Sequence, residues 1–136
     1  MGTGSGAIRS VMYVSRSLIN GQLGPLEHLR QQCIKRNASR QLTGALYYDD
    51  QVFCQILEGD KRVLDLLLDR IREDHRHKDV RILLDLEVSR RMFAEWSMKF
   101  VSGISRPGMA EQFSYELIVN GGPDMWGERA GQLRSA

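Results

Sequence analysis

The chain has 136 residues, which is the length of a single domain. Hydrophobic residues make up 42% of the sequence and charged residues 26%, so the chain has enough apolar side chains for a core and is not of the disordered class. The net charge of +2 gives no electrostatic indication of nucleic-acid binding. No stretch approaches the roughly 18 consecutive apolar residues of a transmembrane helix. We therefore expect a globular protein that binds neither nucleic acid nor a membrane.

The cysteines and the chain ends suggest a cytoplasmic protein with one folded domain. Cys33 and Cys54 lie within apolar patterns, which favours a reduced protein over a disulfide-linked secreted one. Residues 1–7, MGTGSGA, lack the apolar core of a signal peptide, and we interpret them as a flexible N-terminus. The folded domain is predicted to span residues 8–102. Residues 103–136 are expected to form a C-terminal helical extension with a loose end.

The first predicted strand is followed by a helix. Residues 8–15, IRSVMYVS, carry mainly apolar side chains on both faces, as expected of a central strand. Residues 25–37 predict a helix with Pro25 in its first turn. The apolar stripe of this helix consists of Leu26, Leu29 and Cys33. Extending the stripe by one more turn reaches Asn37, so a polar amide lies where the apolar face ends.

A predicted hairpin and a second helix come next. Residues 42–48, LTGALYY, and 52–59, VFCQILEG, predict two strands joined by a short connection at residues 49–51. Asp60 is expected to cap the N-terminus of the second helix. The apolar face of that helix consists of Val63, Leu64, Leu67, Leu68 and Ile71. The helix ends in REDHRHKD, residues 72–79, which we interpret as a solvated charged segment.

The order of the elements predicts the fold class. Residues 80–88 and 96–102 predict a fourth and a fifth strand. The order βαββαββ is typical of an α+β, ferredoxin-like fold, with a five-stranded mixed sheet and two helices on one face. In such folds the strands that carry Tyr13 and Gln55 are neighbours at the sheet centre. We expect a helix over residues 107–119 to cover the other face.

Several polar residues lie inside apolar elements and need partners. Gln55 lies between apolar neighbours in a strand that is apolar on both faces, and an unpaired amide there would cost roughly 1–3 kcal/mol. Tyr13, Asn37 and Ser97 have similar apolar surroundings. Each of them singly is more often a structural residue. Together they have the composition of a pocket for a planar ligand, because such pockets combine apolar walls with a few polar groups.

Enzyme motifs are missing from the sequence. It contains no GxSxG, HExxH, P-loop or paired CxxC motif, and neither cysteine has a histidine nearby in sequence. Asp74, His75 and His77 form a small D-H-x-H cluster. A charged helix end is the commoner explanation of that cluster, so we expect no metal site. We also expect the protein not to be an enzyme.

Six segments in order, spread over residues 8–102, resemble the BLUF family of blue-light sensors, which use a flavin. They are YVS at 13–15, Asn37, LTGALYY at 42–48, FCQILEG at 53–59, DHRH at 74–77 and FAEWSM at 93–98. Any one of them would be a weak signal, but six at compatible spacing are specific. The resemblance implies FAD as cofactor, with FMN left open because both share the same ring.

The resemblance also implies roles for residues around the flavin. Tyr13 matches the photoactive tyrosine of the family, and Gln55 matches the glutamine between that tyrosine and the ring. Asn37 matches the asparagine that hydrogen-bonds the polar edge of the ring. Trp96 and Met98 match a pair on the last strand whose environment changes on illumination.

Further polar partners follow from the same resemblance. Arg36, Arg70 and Asp74 match positions of partners for the ring carbonyl and N–H groups. Arg76 and His77 match the segment near the ribityl and phosphate side. The candidates for enclosing the ring between the helices, chosen for their apolar character, are Leu29 and Leu64.

Output of the light signal is expected through residues 103–136, either to a separate effector protein or through a homo-oligomer. A cyclase or phosphodiesterase domain would need far more than 136 residues.

Two alternatives belong to other functional classes. One is a ferredoxin-like protein-interaction or RNA-binding module without flavin, which should expose aromatic residues on an outward sheet face. The other is a small acyl-transfer or phosphatase-like enzyme, against which the missing nucleophile counts.

Overall fold

The computed structural model describes residues 8–19, 23–49 and 51–102. Its elements in chain order are β1 (Ile8–Ser17), α1 (Leu23–Ser39), β2 (Thr43–Tyr48), β3 (Val52–Gly59), α2 (Lys61–Glu73), β4 (His77–Val88) and β5 (Lys99–Ser102). The five strands form one sheet in the order β4-β1-β3-β2-β5. All neighbours are antiparallel except β2 and β5, which are parallel. The predicted ferredoxin-like α+β fold and the central β1–β3 pair are confirmed.

The sheet separates two apolar cores, because side chains of a strand alternate between its faces. The helix-side core contains Val11, Phe53 and Leu57 from the central strands together with Leu64, Leu67 and Leu68 of α2. The second-face core contains Met12, Ala45, Tyr47, Cys54, Ile56, Phe93 and Val101. Both faces of β1 and β3 are therefore buried, as their sequences predict.

Local sequence explains how both helices form. The Asp60 side chain accepts hydrogen bonds from the backbone amides of Arg62 and Val63, so it caps α2 as predicted. The predicted stripe of α1 is confirmed by Leu26, Cys33 and Asn37, all of which are buried. Among the described residues, neither helix has both the length and the apolar character needed to cross a bilayer.

The last two strands differ from their predicted limits. β4 begins at His77 rather than at residue 80. The charged residues 77–79, which precede the predicted strand, extend β4 because they lie along β1, with Ser17 opposite His77. The β1–β4 pairing has two irregularities, and Asp79 has a positive φ of 56°. Residues 77–79 therefore lack the simple alternation of side chains from which a strand is predicted. β5 begins at Lys99 rather than at Trp96. Residues 91–98 form an irregular loop, which we call the β4–β5 loop, and its backbone bonds to side chains and to β2 instead of joining the ladder.

An arginine connects β1, α2 and β4. Arg9 donates through Nε and Nη2 to the two carboxylate oxygens of Asp85, at 2.9 and 2.8 Å, and through Nη1 to Asp65. The hydrogen bond from Arg9 holds the pKa of Asp85 below its usual value.

The predicted N-terminal segment, residues 1–7, and the C-terminal extension, residues 103–136, lie outside the described residues.

Candidate functional site

Tyr13 and Gln55 form a buried pair at the centre of the sheet. They are direct cross-strand partners, because β1 pairs with β3 in a register that places Tyr13 opposite Gln55. The Tyr13 hydroxyl donates to Gln55 Oε1 at 2.5 Å. Burial raises the pKa of the Tyr13 phenol, so the hydroxyl keeps its proton. The predicted proximity of the two residues is confirmed.

The other end of the Gln55 amide has a much weaker partner. Gln55 is 2% exposed, and its Nε2 donates to the Met98 sulfur at 3.6 Å. A thioether is a poor acceptor compared with a carbonyl oxygen. Gln55 therefore presents a buried amide donor that a better acceptor would stabilise.

The pair lies at the bottom of a cleft between α1 and α2. The inner part of the cleft, about 30 Å³, has room for one water molecule. Its lining residues are Tyr13, Leu29, Cys33, Arg36, Leu46, Phe53, Gln55, Ile71, Asp74, Arg76 and His77. The outer part, about 600 Å³, is in the usual size range of ligand sites. Its lining residues are Gln32, Lys35, Arg36, Ser39, Arg40, Leu67, Arg70, Ile71, Asp74 and Arg76.

An ion pair lies where the two parts of the cleft meet. Arg76 Nη2 is 2.6 Å from Asp74 Oδ2, Arg76 Nε donates to Asp74 Oδ1 at 2.9 Å, and Arg76 Nη1 donates to Gln32 Oε1 at 2.8 Å. Burial acts to raise the pKa of Asp74, but the hydrogen bonds and charge of Arg76 outweigh it and lower the pKa. Both residues are half-buried, so the predicted solvated segment is wrong for this part of the chain.

His77 is a buried residue of the inner cleft. Its Nε2 is bonded to the carbonyl oxygen of Ile71, which can only accept, and its Nδ1 lies 2.6 Å from the Ser15 hydroxyl. A neutral imidazole in this setting carries its proton on Nε2 and accepts from Ser15 at Nδ1. Its ring meets the rings of Tyr13 and Phe53 edge-on, with centroids 6.1 and 6.0 Å away. Both nitrogens are thus engaged inside the protein.

The structure brings seven of the predicted residues to the inner cleft: Tyr13, Leu29, Arg36, Gln55, Asp74, Arg76 and His77. Arg70 lines only the outer part. Leu64 lines neither part and is fully buried in the helix-side core.

Three other predicted residues do not line the cleft. Asn37 is fully buried, donates to the Ser97 carbonyl at 2.9 Å and accepts from Arg36 Nε at 3.2 Å. Met98 reaches Gln55 from the helix-side core, whereas Trp96 packs against the second-face core. The prediction that Trp96 and Met98 share the last strand is wrong, because the strand begins after both.

Some lining residues were not singled out from the sequence. Ile71 and Phe53 looked like ordinary core residues, and their place in the cleft depends on packing. Cys33 had a visible signal, since it lies one helical turn before Asn37 on the same stripe. Burial raises the pKa of the Cys33 thiol.

Within the described ranges, no three His, Cys, Asp or Glu side chains are grouped to hold a metal ion.

The site defines a class of protein. A cleft between two helices ends in a hydrogen-bonded tyrosine–glutamine pair beside apolar side chains, and its rim carries both a carboxylate and guanidinium groups. Such a donor and acceptor set suits a planar heteroaromatic ligand with carbonyl and N–H groups along its edge. Residues 8–99 match BLUF, the family of sensors of blue-light using FAD. The chain belongs to the BLUF family, which is a family of flavin-binding sensors.

Curated relatives and solved structures agree with this assignment. Photoactivated adenylate cyclase subunit beta of Euglena longa is 31% identical over 94 residues, which are 68% of this chain and 11% of that protein. The alpha subunit of Euglena gracilis is 31% identical over 93 residues, or 68% and 9%. The dark-state structure of BlrB, a BLUF protein, has a TM-score of 0.70 and 26% identity, covering 90% of this chain and 92% of BlrB. The photo-activated state of BlsA has a TM-score of 0.68 and 28% identity, covering 81% and 78%. The chain spans about a tenth of the length of the cyclase relatives it matches.

Proposed function

We propose that the chain is a blue-light photoreceptor that binds FAD non-covalently between α1 and α2 and signals through a rearrangement of the Tyr13–Gln55 hydrogen bond. The single observation that carries this proposal is the buried 2.5 Å contact between Tyr13 and Gln55 at the bottom of the cleft. Bound flavin would supply the absorption of blue light and a strongly oxidising excited state.

The Tyr13–Gln55 pair has the chemistry of a switch. Tyr13 would lose an electron to the excited flavin, which makes its hydroxyl acidic, and Gln55 Oε1 is the acceptor already in place for that proton. Return of both the electron and the proton would restore the neutral tyrosine. The Gln55 amide can then rotate or tautomerise, because it has both a donor and an acceptor end. The weak Met98 partner makes this rotation less costly than it would be against a carbonyl oxygen. A second arrangement of the buried amide is therefore open once a better acceptor for Gln55 Nε2 is present, as a light-driven switch requires.

The rim of the cleft fits the polar edge of a flavin. The guanidinium groups of Arg36 and Arg76 are donors, and the Asp74 carboxylate is an acceptor. Arg70, which lines only the outer part, is proposed as a further donor to the ring carbonyl groups. Because the inner space holds only about 30 Å³, a ring that reaches Gln55 must push the rim side chains outward. We expect the Asp74–Arg76 pair to open on binding.

The output of the sensor is proposed to run through residues 103–136 to a separate effector protein or a homo-oligomer, in the cytoplasm. The chain continues directly from β5, which pairs with β2, and β2 pairs with β3, the strand that carries Gln55.

The alternative function, an RNA-binding module, should expose aromatic side chains on the sheet. In the described part of the chain, Tyr13, Tyr47, Phe53 and Phe93 are all buried, so support for that alternative is weak.

The test is the visible spectrum of the purified protein in the dark and under blue light. We expect a yellow protein whose flavin absorption moves to longer wavelength on illumination and returns in the dark. Tyr13→Phe and Gln55→Leu should retain flavin and lose the reversible shift. Tyr48→Phe is the matched control, because Tyr48 has no hydroxyl hydrogen bond among the described residues. A colourless protein that takes up no added FAD would refute the proposal.

A further inference from the structure

Glu58 is a fully buried carboxylate that the cleft does not use. It lies three residues after Gln55 on β3, and therefore on the opposite face of the sheet. Its oxygens accept hydrogen bonds from Thr43 Oγ1 at 2.9 Å and from the backbone amides of Met92 and Phe93 at 2.6 and 3.0 Å. A buried carboxylate is tolerated only with this kind of compensation. Glu58 therefore holds the start of the β4–β5 loop tightly.

The other end of the same loop touches the Tyr13–Gln55 site. The Met98 sulfur accepts from Gln55 Nε2, and the Ser97 carbonyl accepts from Asn37 Nδ2. Between the two ends, the Trp96 carbonyl accepts from the Gly44 amide at 3.1 Å. The loop thus begins against the second-face core and ends in the helix-side core. It forms a continuous physical connection between the two faces of the sheet.

We propose that Glu58 is a positioning residue that anchors the β4–β5 loop, so that a movement of Gln55 turns the loop about a fixed end and displaces Trp96 on the second face. This inference rests on the proposed light-driven rearrangement at Gln55. The physical reason is that two charge-assisted bonds to consecutive amides set both the position and the direction of the backbone. Without that anchor, the Arg91 side chain would still contact Thr43 and the Glu58 carbonyl oxygen, but the backbone at Met92 and Phe93 would be free to move together with Met98.

The dark-state test measures backbone amide exchange in the 136-residue chain loaded with flavin. Glu58→Gln keeps one acceptor oxygen and turns a side-chain N–H₂ toward the other amide, so at least one of the Met92 and Phe93 amides should exchange about tenfold faster or more. Glu95→Gln is the matched control in the same loop, since Glu95 is exposed and has no hydrogen bond or ion pair in the described part. Thr43→Val removes one donor from Glu58 and, with it, the acceptor of Arg91 Nη1, while both amide bonds to Glu58 remain, so it should give a smaller change in the same direction. It also serves as the second variant if Glu58→Gln does not fold.

The light-state test measures the same amides under continuous blue light, alongside the flavin spectrum. In the unmodified chain and in Glu95→Gln, exchange at residues 94–98 should rise on illumination while Met92 and Phe93 stay protected. In Glu58→Gln the reversible spectral shift should remain, and the light-dependent difference at residues 94–98 should disappear. A light-dependent difference that survives in Glu58→Gln, or unaltered dark exchange at Met92 and Phe93, would overturn the inference. A missing spectral shift in the unmodified chain would instead refute the proposed function, and the dark test of the anchor would still stand.

Discussion

The buried Tyr13–Gln55 pair predicts a strongly non-additive effect on stability when its two residues are changed together. Tyr13→Phe removes the donor and leaves Gln55 Oε1 buried without it. Gln55→Leu removes the acceptor and leaves the Tyr13 hydroxyl in an apolar setting. Tyr13 is 4% exposed and Gln55 is 2% exposed, so bulk solvent does not reach either group, and replacement of the lost partner is limited to the one water molecule that the inner cleft can hold.

The magnitude follows from the cost of an unpaired buried polar group. Each single variant should lower the free energy of unfolding by about 1–3 kcal/mol. In the double variant both polar groups are gone and apolar side chains face each other, so the loss should be no larger than that of one single variant. The coupling free energy between the two positions is therefore expected to be about 1–3 kcal/mol.

Urea unfolding followed by circular dichroism, at equal flavin content for all four proteins, measures this cycle. A parallel cycle of Tyr48→Phe with Gln55→Leu should be additive within about 0.5 kcal/mol, because the two side chains share no hydrogen bond. If the Tyr13–Gln55 cycle is equally additive, the contact at 2.5 Å does not contribute to stability and the structural basis of the proposed switch is refuted.

Three further predictions concern the scaffold. A Cβ on Gly44 would lie 2.0 Å from the Ile56 carbonyl oxygen, so Gly44→Ala should cost about 1–3 kcal/mol or more in urea unfolding, and an unchanged midpoint would contradict the close β2–β3 approach. Asp60→Ala removes the cap of α2 and should lower stability by about 0.5–2 kcal/mol, whereas Asp60→Asn should cost much less by the same measurement. Arg9 holds the pKa of Asp85 below its usual 3.8. The Arg9–Asp85 pair therefore contributes its full stabilisation above about pH 4, and this contribution disappears as the pH falls through the lowered pKa of Asp85. Acid unfolding below about pH 4 should therefore be less steep in Asp85→Asn, and an identical acid profile would contradict this assignment.

Most of the fold was predictable because its signals are local. The apolar faces of β1 and β3, the stripe of α1 and the cap of α2 each depend on side chains within a few positions of one another. The limits of β4 and β5 were not predictable in this way. The start of β4 is charged and pairs with β1 across two irregularities. Residues 96–98 have strand-like alternation, but their backbone bonds to Gly44 and Asn37.

The candidate site shows the same division. Polar residues inside apolar segments identified Tyr13, Gln55 and Asn37, because an unpaired polar group is costly wherever the segment is buried. The order of six short segments then indicated the BLUF family, and residues 8–99 confirm it. The sequence did not indicate Glu58 as a special residue, although it is fully buried, because a glutamate at a strand end usually faces solvent.

The sequence by itself determined which side chains must be buried and therefore need partners, since hydrophobic periodicity is a property of the chain. Only the tertiary structure decided which partners they have. Gln55 lies 42 positions from Tyr13 and 43 from Met98, and these contacts exist because strand register and loop path bring distant segments together. The tyrosine–glutamine pair was expected from neighbouring central strands. The link from that pair through Met98 to the loop held by Glu58 required the packed structure, because no local pattern specifies how a loop crosses the edge of a sheet.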